Sequence, residues 1–237
     1  MSAARRRPPP NRLVQALPRR ELQRLLAACE AVELSFGEVL YEPNAVIRHV
    51  YFPTDSFISL MIPVDRTANL EVGLIGDEGM LGVPLILGVE VSRLRALVQG
   101  AGPAWRINAV KFARLLDRSL TLRRALHRYL QVRMTQLAQA AACTRFHVLE
   151  ERLARWLLMT QDRAHMDEFR VTHQFLAYML GVRRVGVTRA ANSLQKRKLI
   201  RYQHGEVKIL DRAGMESAAC VCYQADRAAY DDLLAVA

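Results

Sequence analysis

Long apolar runs are missing from this 237-residue chain. The run GVPLILGV at 82–89 falls far short of the roughly 20 residues that cross a bilayer, so no membrane partner is expected. The opening MSAARRRPPPNR carries positive charge with no apolar stretch behind it, which is not the pattern of a secretory signal. Cysteine is scarce too. Four residues, at 29, 143, 220 and 222, make no disulfide framework in a chain of this length, and a reducing cytoplasm is the expected home. Cys29 and Cys143 stand in apolar helical contexts and read as core residues. Cys220 and Cys222 have no second Cys or His pair at metal spacing beside them in sequence, so no metal ligands are assigned. Catalytic signatures are absent: there is no GxSxG, HExxH or P-loop, and no paired acids in a plausible cleft. Glu150 and Glu151 read as surface partners of Arg152 or Arg155. No catalytic residue is assigned and an enzyme is not expected.

Acidic residues are the other shortage. Lys and Arg total 34 against 23 Asp and Glu, a formal charge of +11 and a pI near 10.1, which suits a polyanionic partner. The imbalance is sharpest within residues 171–205. From Gly181 through Arg201 there are seven Arg or Lys and no acid. Thr172 stands where a helix N-cap belongs, and Phe175, Leu176, Met179 and Leu180 form one buried face. Gly181 follows where a helix end commonly needs positive φ. A second helix is expected from Arg184 to Lys196 with Val187, Ala190, Ala191 and Leu194 inward. A two-stranded hairpin follows, 199–202 and 207–210, around Gln203-His204-Gly205. Helix, glycine turn, cationic helix and hairpin together spell a winged helix-turn-helix, a reader of the DNA major groove.

The remaining chain sorts by texture. Residues 13–30 read as two short helices broken by Pro18. From 31 to 106, short aromatic and β-branched segments alternate with turns such as Gly76-Asp77 and Gly100-Ala101-Gly102-Pro103, an all-β sandwich or barrel. Within LEVGLI, Glu71 is expected to point outward while Leu70, Val72 and Leu74 fill the core. Asn108 caps a helix through Leu116. A long helix over 119–142 then carries Leu126, Leu130, Met134, Leu137 and Ala141 along one seam, which fits a second copy of the chain. A supporting helix over 146–161 carries Val148, Leu149, Leu153, Trp156, Leu157 and Leu158. Asp211 caps one more helix, and a helical tail closes the chain.

This order of β-roll, long helix and winged helix-turn-helix resembles the Crp/Fnr family of bacterial transcription regulators over residues 13–210. The resemblance implies an α+β fold: an N-terminal β-roll of the cupin or cyclic-nucleotide-binding kind, a long dimerisation helix, and a C-terminal winged helix-turn-helix. The implied division is a disordered basic arm over 1–12, the β-roll over 13–118, the dimer helix over 119–143 and the DNA-binding domain over 144–237. The family reads bases through a Ser-Arg-Glu-Thr-Val-Gly-Arg run, matched here by Arg183-Arg184-Val185-Gly186-Val187-Thr188-Arg189. The resemblance therefore places Arg184 and Arg189 on base-reading positions, each able to hold guanine with two hydrogen bonds. Val185 replaces the family's glutamate and Arg183 its capping serine, so a different operator is implied. Thr188 joins the base readers; Thr172, Lys196, Arg197, Lys198 and Arg201 are assigned to phosphates.

In the sensory domain the family's Gly-Glu pair for ribose becomes Gly82-Val83, and its Arg-Ser pair for the cyclic phosphate becomes Arg95-Ala96. The adenine-reading Thr-Ser pair falls at Leu137-Ala138. Gly82 and Arg95 are thus the remaining ligand-binding candidates, and cyclic nucleotide is not expected to bind in the family's usual mode. An iron–sulfur cluster lacks ligands, since the N-terminal third offers Cys29 alone. His49 and His127 read as structural rather than haem ligands, so no cofactor is assigned. The expected partners are a palindromic double-stranded DNA operator, a second copy of the chain, and RNA polymerase. The alternative reading is a β-roll adaptor that binds a ligand or partner and uses its winged helix for protein contact.

Overall fold

The computed structural model describes residues 11–64 and 69–235. The arm expected over 1–12 lies outside the described residues as far as position 10, and its last two residues are anchored. Asn11 is fully buried. It caps helix α1 (Arg12–Gln15) by accepting from Val14 N, and its amide donates to the carbonyls of Pro53 at 2.7 Å and Gly79 at 2.8 Å. Arg12 pairs with Asp77 at 3.0 Å. Helix α2 (Arg19–Ala28) follows Pro18, whose fixed φ suits a helix start. Cys29 corrects the core reading: it is the extended residue ending α2, and is half-buried.

Two compact units emerge. Among the described residues, one comprises 11–60, 75–134 and 230–235, the other 61–64, 69–74 and 135–229. The strands expected between 31 and 106 form as β1 (Glu30–Leu34), β2 (Val39–Tyr41), β3 (His49–Pro53), β4 (Phe57–Pro63), β5 (Asn69–Ile75), β6 (Arg95–Gly100) and β7 (Gly102–Asn108). They make a three-stranded sheet, β1-β7-β3, and a four-stranded sheet, β2-β6-β4-β5. The register sets Val50 opposite Ile107 and Phe52 opposite Trp105. Val50, Phe52, Ile58, Ala96, Val98, Ala104 and Ile107 fill the core of the first unit. Helix α3 (Ala109–Arg118) starts at Asn108, whose side chain accepts from Val110 N and Lys111 N. Its Phe112 meets Phe52 at a tilt, with ring centroids 6.4 Å apart.

The long helix α4 (Leu120–Phe146) spans 27 residues. Ser119 opens it by accepting from Leu122 N at 3.0 Å. In the first unit Leu122, Leu126 and Tyr129 are buried. The Tyr129 hydroxyl accepts from Met80 N at 3.1 Å, and a Cβ on Gly79 would run into its ring, with Cζ 3.0 Å away. Farther along, Met134 is 57% and Leu137 47% exposed.

The second unit holds α5 (Leu149–Ala164), β8 (Glu168–Arg170), α6 (His173–Leu180), α7 (Arg184–Lys196), β9 (Ile200–Gln203), β10 (Glu206–Ile209), α8 (Arg212–Ala218) and the start of α9 (Cys222–Ala235). Helix α5 starts three residues later than expected; Phe146 still ends α4, and Val148 is the exposed N-cap rather than a core residue. Leu153, Trp156, Leu157 and Leu158 are buried as their spacing predicts. Glu71 does not simply face solvent: it is half-buried and accepts from Trp156 Nε1 at 2.8 Å. The Trp156 ring meets Phe175 edge-on. Arg155 forms a buried ion pair with Asp226, while Arg152 donates to the Leu180 carbonyl at 2.7 Å. Neither takes the partner among Glu150 and Glu151 that adjacency suggested.

Candidate nucleic-acid interface

Local chemistry explains why the helix pair forms where it does. Thr172 accepts from Phe175 N at 3.1 Å, satisfying one amide of the first turn of α6. Gly181 ends α6 at φ 64°, and a Cβ there would lie 2.9 Å from Leu70 Cδ1. Both the left-handed backbone and the crowding favour glycine. Helix α7 buries Val187, Ala190, Ala191 and Leu194, with apolar residues on the core side and cations opposite. Gly186 lets α7 approach closely, since a Cβ there would be 2.9 Å from Leu149 Cδ2. At Arg183 the helix has no side-chain cap, as expected from the loss of serine.

The wing carries three strands rather than two, in the order β8-β10-β9. Its turn is the pair His204-Gly205, at φ 50° and 82°, the positive-φ arrangement that suits a two-residue hairpin. Gln195 ties α7 to the wing by accepting from Tyr202 N at 2.7 Å, and the Tyr202 hydroxyl donates to Val171 O at 2.7 Å. His173 stacks on Tyr202 with centroids 4.4 Å apart.

The cations fall into distinct groups. Arg183, Arg184 and Arg189 are exposed, and among the described residues no acid stands within ion-pairing distance of them. Lys196 and Lys198 are exposed as well, with Lys198 at φ 58° just beyond the helix. Arg197 is engaged: Nη1 lies 3.0 Å from Glu150 Oε1. Arg201 and Lys208 share the edge of Glu168, each at 3.9 Å. Thr188, expected among the base readers, already has partners within the chain. It is half-buried, and its hydroxyl lies 3.1 Å from Arg184 O and 3.0 Å from His173 Nδ1. The hydroxyl therefore clasps α6 to α7. Burial, followed by the Arg184 charge, lowers the His173 pKa below 6.5. Burial raises that of Tyr202, against the opposing pull of Arg184. The Arg184 charge thus acts on both members of the stacked pair. Sequence spacing pointed to neither His173 nor Tyr202, because their contact joins residues 29 positions apart in the chain.

In the first unit, Gly82 takes φ 119°, and a Cβ would lie 2.8 Å from Val50 Cγ2; local packing alone accounts for this glycine. Arg95 is paired with Glu42 at 3.4 Å, so a carboxylate already sits where an anion was considered. On the seam assigned to a partner, Leu126 is 2% exposed and is used within its own unit. Leu130 is half-buried, whereas Met134, Leu137 and Ala141 are exposed. A different group converges in the second unit: the ligand atoms of Cys143, His147, Cys220 and Cys222 lie within 4.8 Å of one another. The signals in the sequence were a Cys-x3-His on a helix end and a distant Cys-x-Cys, which only the fold joins. Among the described residues, no helix is long and apolar enough to cross a membrane.

Comparison with known proteins places this geometry. Residues 151–218 match the model of the Crp-like helix-turn-helix domain family. Among curated proteins, no sequence matches this chain closely enough to count as a relative. Solved structures share the fold at low identity. CLP of Xanthomonas campestris, described as a c-di-GMP-responsive global regulator, is 18% identical with a TM-score of 0.66, over 81% of this chain and 99% of its own. FixK2 of Bradyrhizobium japonicum is 12% identical with a TM-score of 0.68, over 81% of this chain and 98% of its own. A Crp/Fnr-family transcriptional regulator of Thermus thermophilus is 18% identical with a TM-score of 0.64, over 80% of this chain and 98% of its own. Residues 151–218 thus match a Crp-like helix-turn-helix domain, and the chain shares its fold with solved regulators of the Crp/Fnr family.

Proposed function

We propose that this Crp/Fnr-type protein is a homodimer that binds a palindromic DNA operator and regulates transcription there. The observation that carries the reading is α7 itself. Its underside is buried by Val187, Ala190, Ala191 and Leu194, while Arg184 and Arg189 present guanidinium groups not held by an acid among the described residues. Guanidinium forks of this kind match the O6 and N7 acceptors of guanine. Lys196 and Lys198 extend the charge toward the backbone phosphates, and in this reading Thr172 and Arg201 join them there. Arg197 serves the same purpose in competition with Glu150. Exposed Met134, Leu137 and Ala141 on α4 support pairing of two copies, which a two-fold operator requires. The reading assigns no catalytic residue.

The effector pocket, in this reading, has lost the family's cyclic-nucleotide chemistry. Val83 and Ala96 supply neither the ribose acceptor nor the phosphate donor, and Glu42 neutralises Arg95. Cyclic AMP is therefore expected to leave DNA affinity unchanged.

Selection of operators from a random duplex pool tests the proposal, followed by titration of the selected and scrambled duplexes across salt concentrations. The expected result is a two-fold symmetric site, bound about 10³-fold or more tighter than scrambled sequence, with a log–log salt slope of several units. Weak, equal binding to all duplexes would sink the proposal and favour a protein-contact role for the winged helix.

A further inference from the structure

Three of the four cysteines and one histidine meet in the second unit. Cys143 and His147 lie one turn apart at the end of α4, with His147 N donating to Cys143 O at 3.1 Å. Cys220 precedes α9 and Cys222 opens it. Val221 between them is 73% exposed, so the two thiols share the inward side. All three cysteines are buried. Cys143 Sγ lies 3.5 Å from Cys220 Sγ, and Cys222 Sγ lies 3.4 Å from His147 Nδ1.

These distances are close to the edges of one coordination tetrahedron. Zinc bonds of about 2.3 Å to sulfur and about 2.0 Å to nitrogen imply S–S edges of roughly 3.8 Å and S–N edges of roughly 3.5 Å. A polynuclear iron–sulfur cluster spreads its cysteines wider, because they bind different irons. A disulfide would use two sulfurs and leave the third thiol and the imidazole without a role. Three soft thiolates and an imidazole are the donor set that selects zinc over magnesium or calcium.

The surroundings suit a charged complex. Gln139 Nε2 donates to Cys222 Sγ at 2.9 Å, the kind of outer hydrogen bond that orients a metal-bound thiolate. Arg155, held by Asp226, acts electrostatically on Cys143 and Cys220. A divalent ion with three thiolates and a neutral imidazole carries a net charge of −1, and the Arg155 guanidinium attracts that charge even while paired with Asp226.

We propose that Cys143, His147, Cys220 and Cys222 bind one zinc ion, held tetrahedrally by three sulfurs and one nitrogen. Loading converts three S–H groups to thiolates and releases three protons, while His147 binds as neutral imidazole through Nδ1. With all four positions supplied by the protein, no site is left for a reactive water, so the ion is structural. It clips the end of α4 to the start of α9, closing a loop of 77 residues between Cys143 and Cys220. Its binding energy therefore adds to folding.

The test uses the full-length chain purified under reducing conditions. Elemental mass spectrometry should find about one zinc per chain. Anaerobic replacement by cobalt should give the intense visible bands of a tetrahedral ion and thiolate-to-cobalt charge transfer. His147→Ala and Cys222→Ser should lose the metal, Cys29→Ser should keep it, and Gln139→Ala should weaken retention at least tenfold. The wild-type cobalt spectrum decides the matter even where a variant fails to fold. A folded, reduced chain that takes up neither zinc nor cobalt would overturn the proposal. So would a Cys143–Cys220 disulfide in the protein as isolated, or bound iron with inorganic sulfide. Metal content is read without DNA, so its outcome is independent of the operator experiment.

Discussion

Arg189 and Lys198 are both exposed cations of the same segment, and the proposed function gives them different work. Arg189 lies on the face of α7 opposite buried Val187 and Ala191, whereas Lys198 follows the helix on a left-handed backbone. A guanine read by two hydrogen bonds contributes about 1–3 kcal/mol of discrimination. Arg189→Ala should therefore weaken each half-site about 5- to 160-fold on the selected operator, and much less on scrambled duplex. Folding stability should stay within about 0.5 kcal/mol of wild type, since the side chain is exposed. Lys198→Ala should weaken both duplexes alike and flatten the log–log salt slope by about 0.9 per subunit. Arg197 supplies an internal check: Glu150, 3.0 Å away, competes with phosphate for it. Glu150→Gln should strengthen binding to every duplex and steepen the slope. Fluorescence anisotropy across a salt series measures all of these. Parallel losses on operator and scrambled DNA for Arg189→Ala, with no difference from Lys198→Ala, would refute the division between base and phosphate contacts.

Gly79→Ala should destabilise the first unit by about 1–3 kcal/mol in chemical denaturation, because the new methyl meets the buried Tyr129 ring. Met134→Glu with Leu137→Glu should convert a dimer to monomers in analytical ultracentrifugation while leaving the monomer folded, both sites being exposed on the single chain. His173 has a depressed pKa in the folded state, so its contribution to stability is full above its ordinary value near 6.5 and is lost as pH falls through the folded value. His173→Asn should flatten the acid limb of the stability profile below pH 6.5, as followed by thermal melts.

Much of the architecture was legible in order along the chain. Thr172, Asn108 and Asp211 cap helices, Gly181 ends one, and the period of Val187, Ala190, Ala191 and Leu194 marks the buried side of α7. Such signals depend on backbone groups and side chains a few residues apart, so sequence carries them. The short strand β8 leaves no local signal, because its three residues pair only with β10, some 38 positions later.

Helix caps, turns and periodicity are local physics, so the order of residues already encodes the set of elements and the cationic face. Tertiary structure alone decided which of the polar groups are committed: Arg197 to Glu150, Arg95 to Glu42, Thr188 to His173. It also turned Leu126 inward on a seam whose later residues stay exposed, and it brought Cys143 and His147 to Cys220 and Cys222. Each of these is a contact between distant segments. Its existence depends on how buried faces pack together, and charge or sulfur spacing along the chain does not encode that packing.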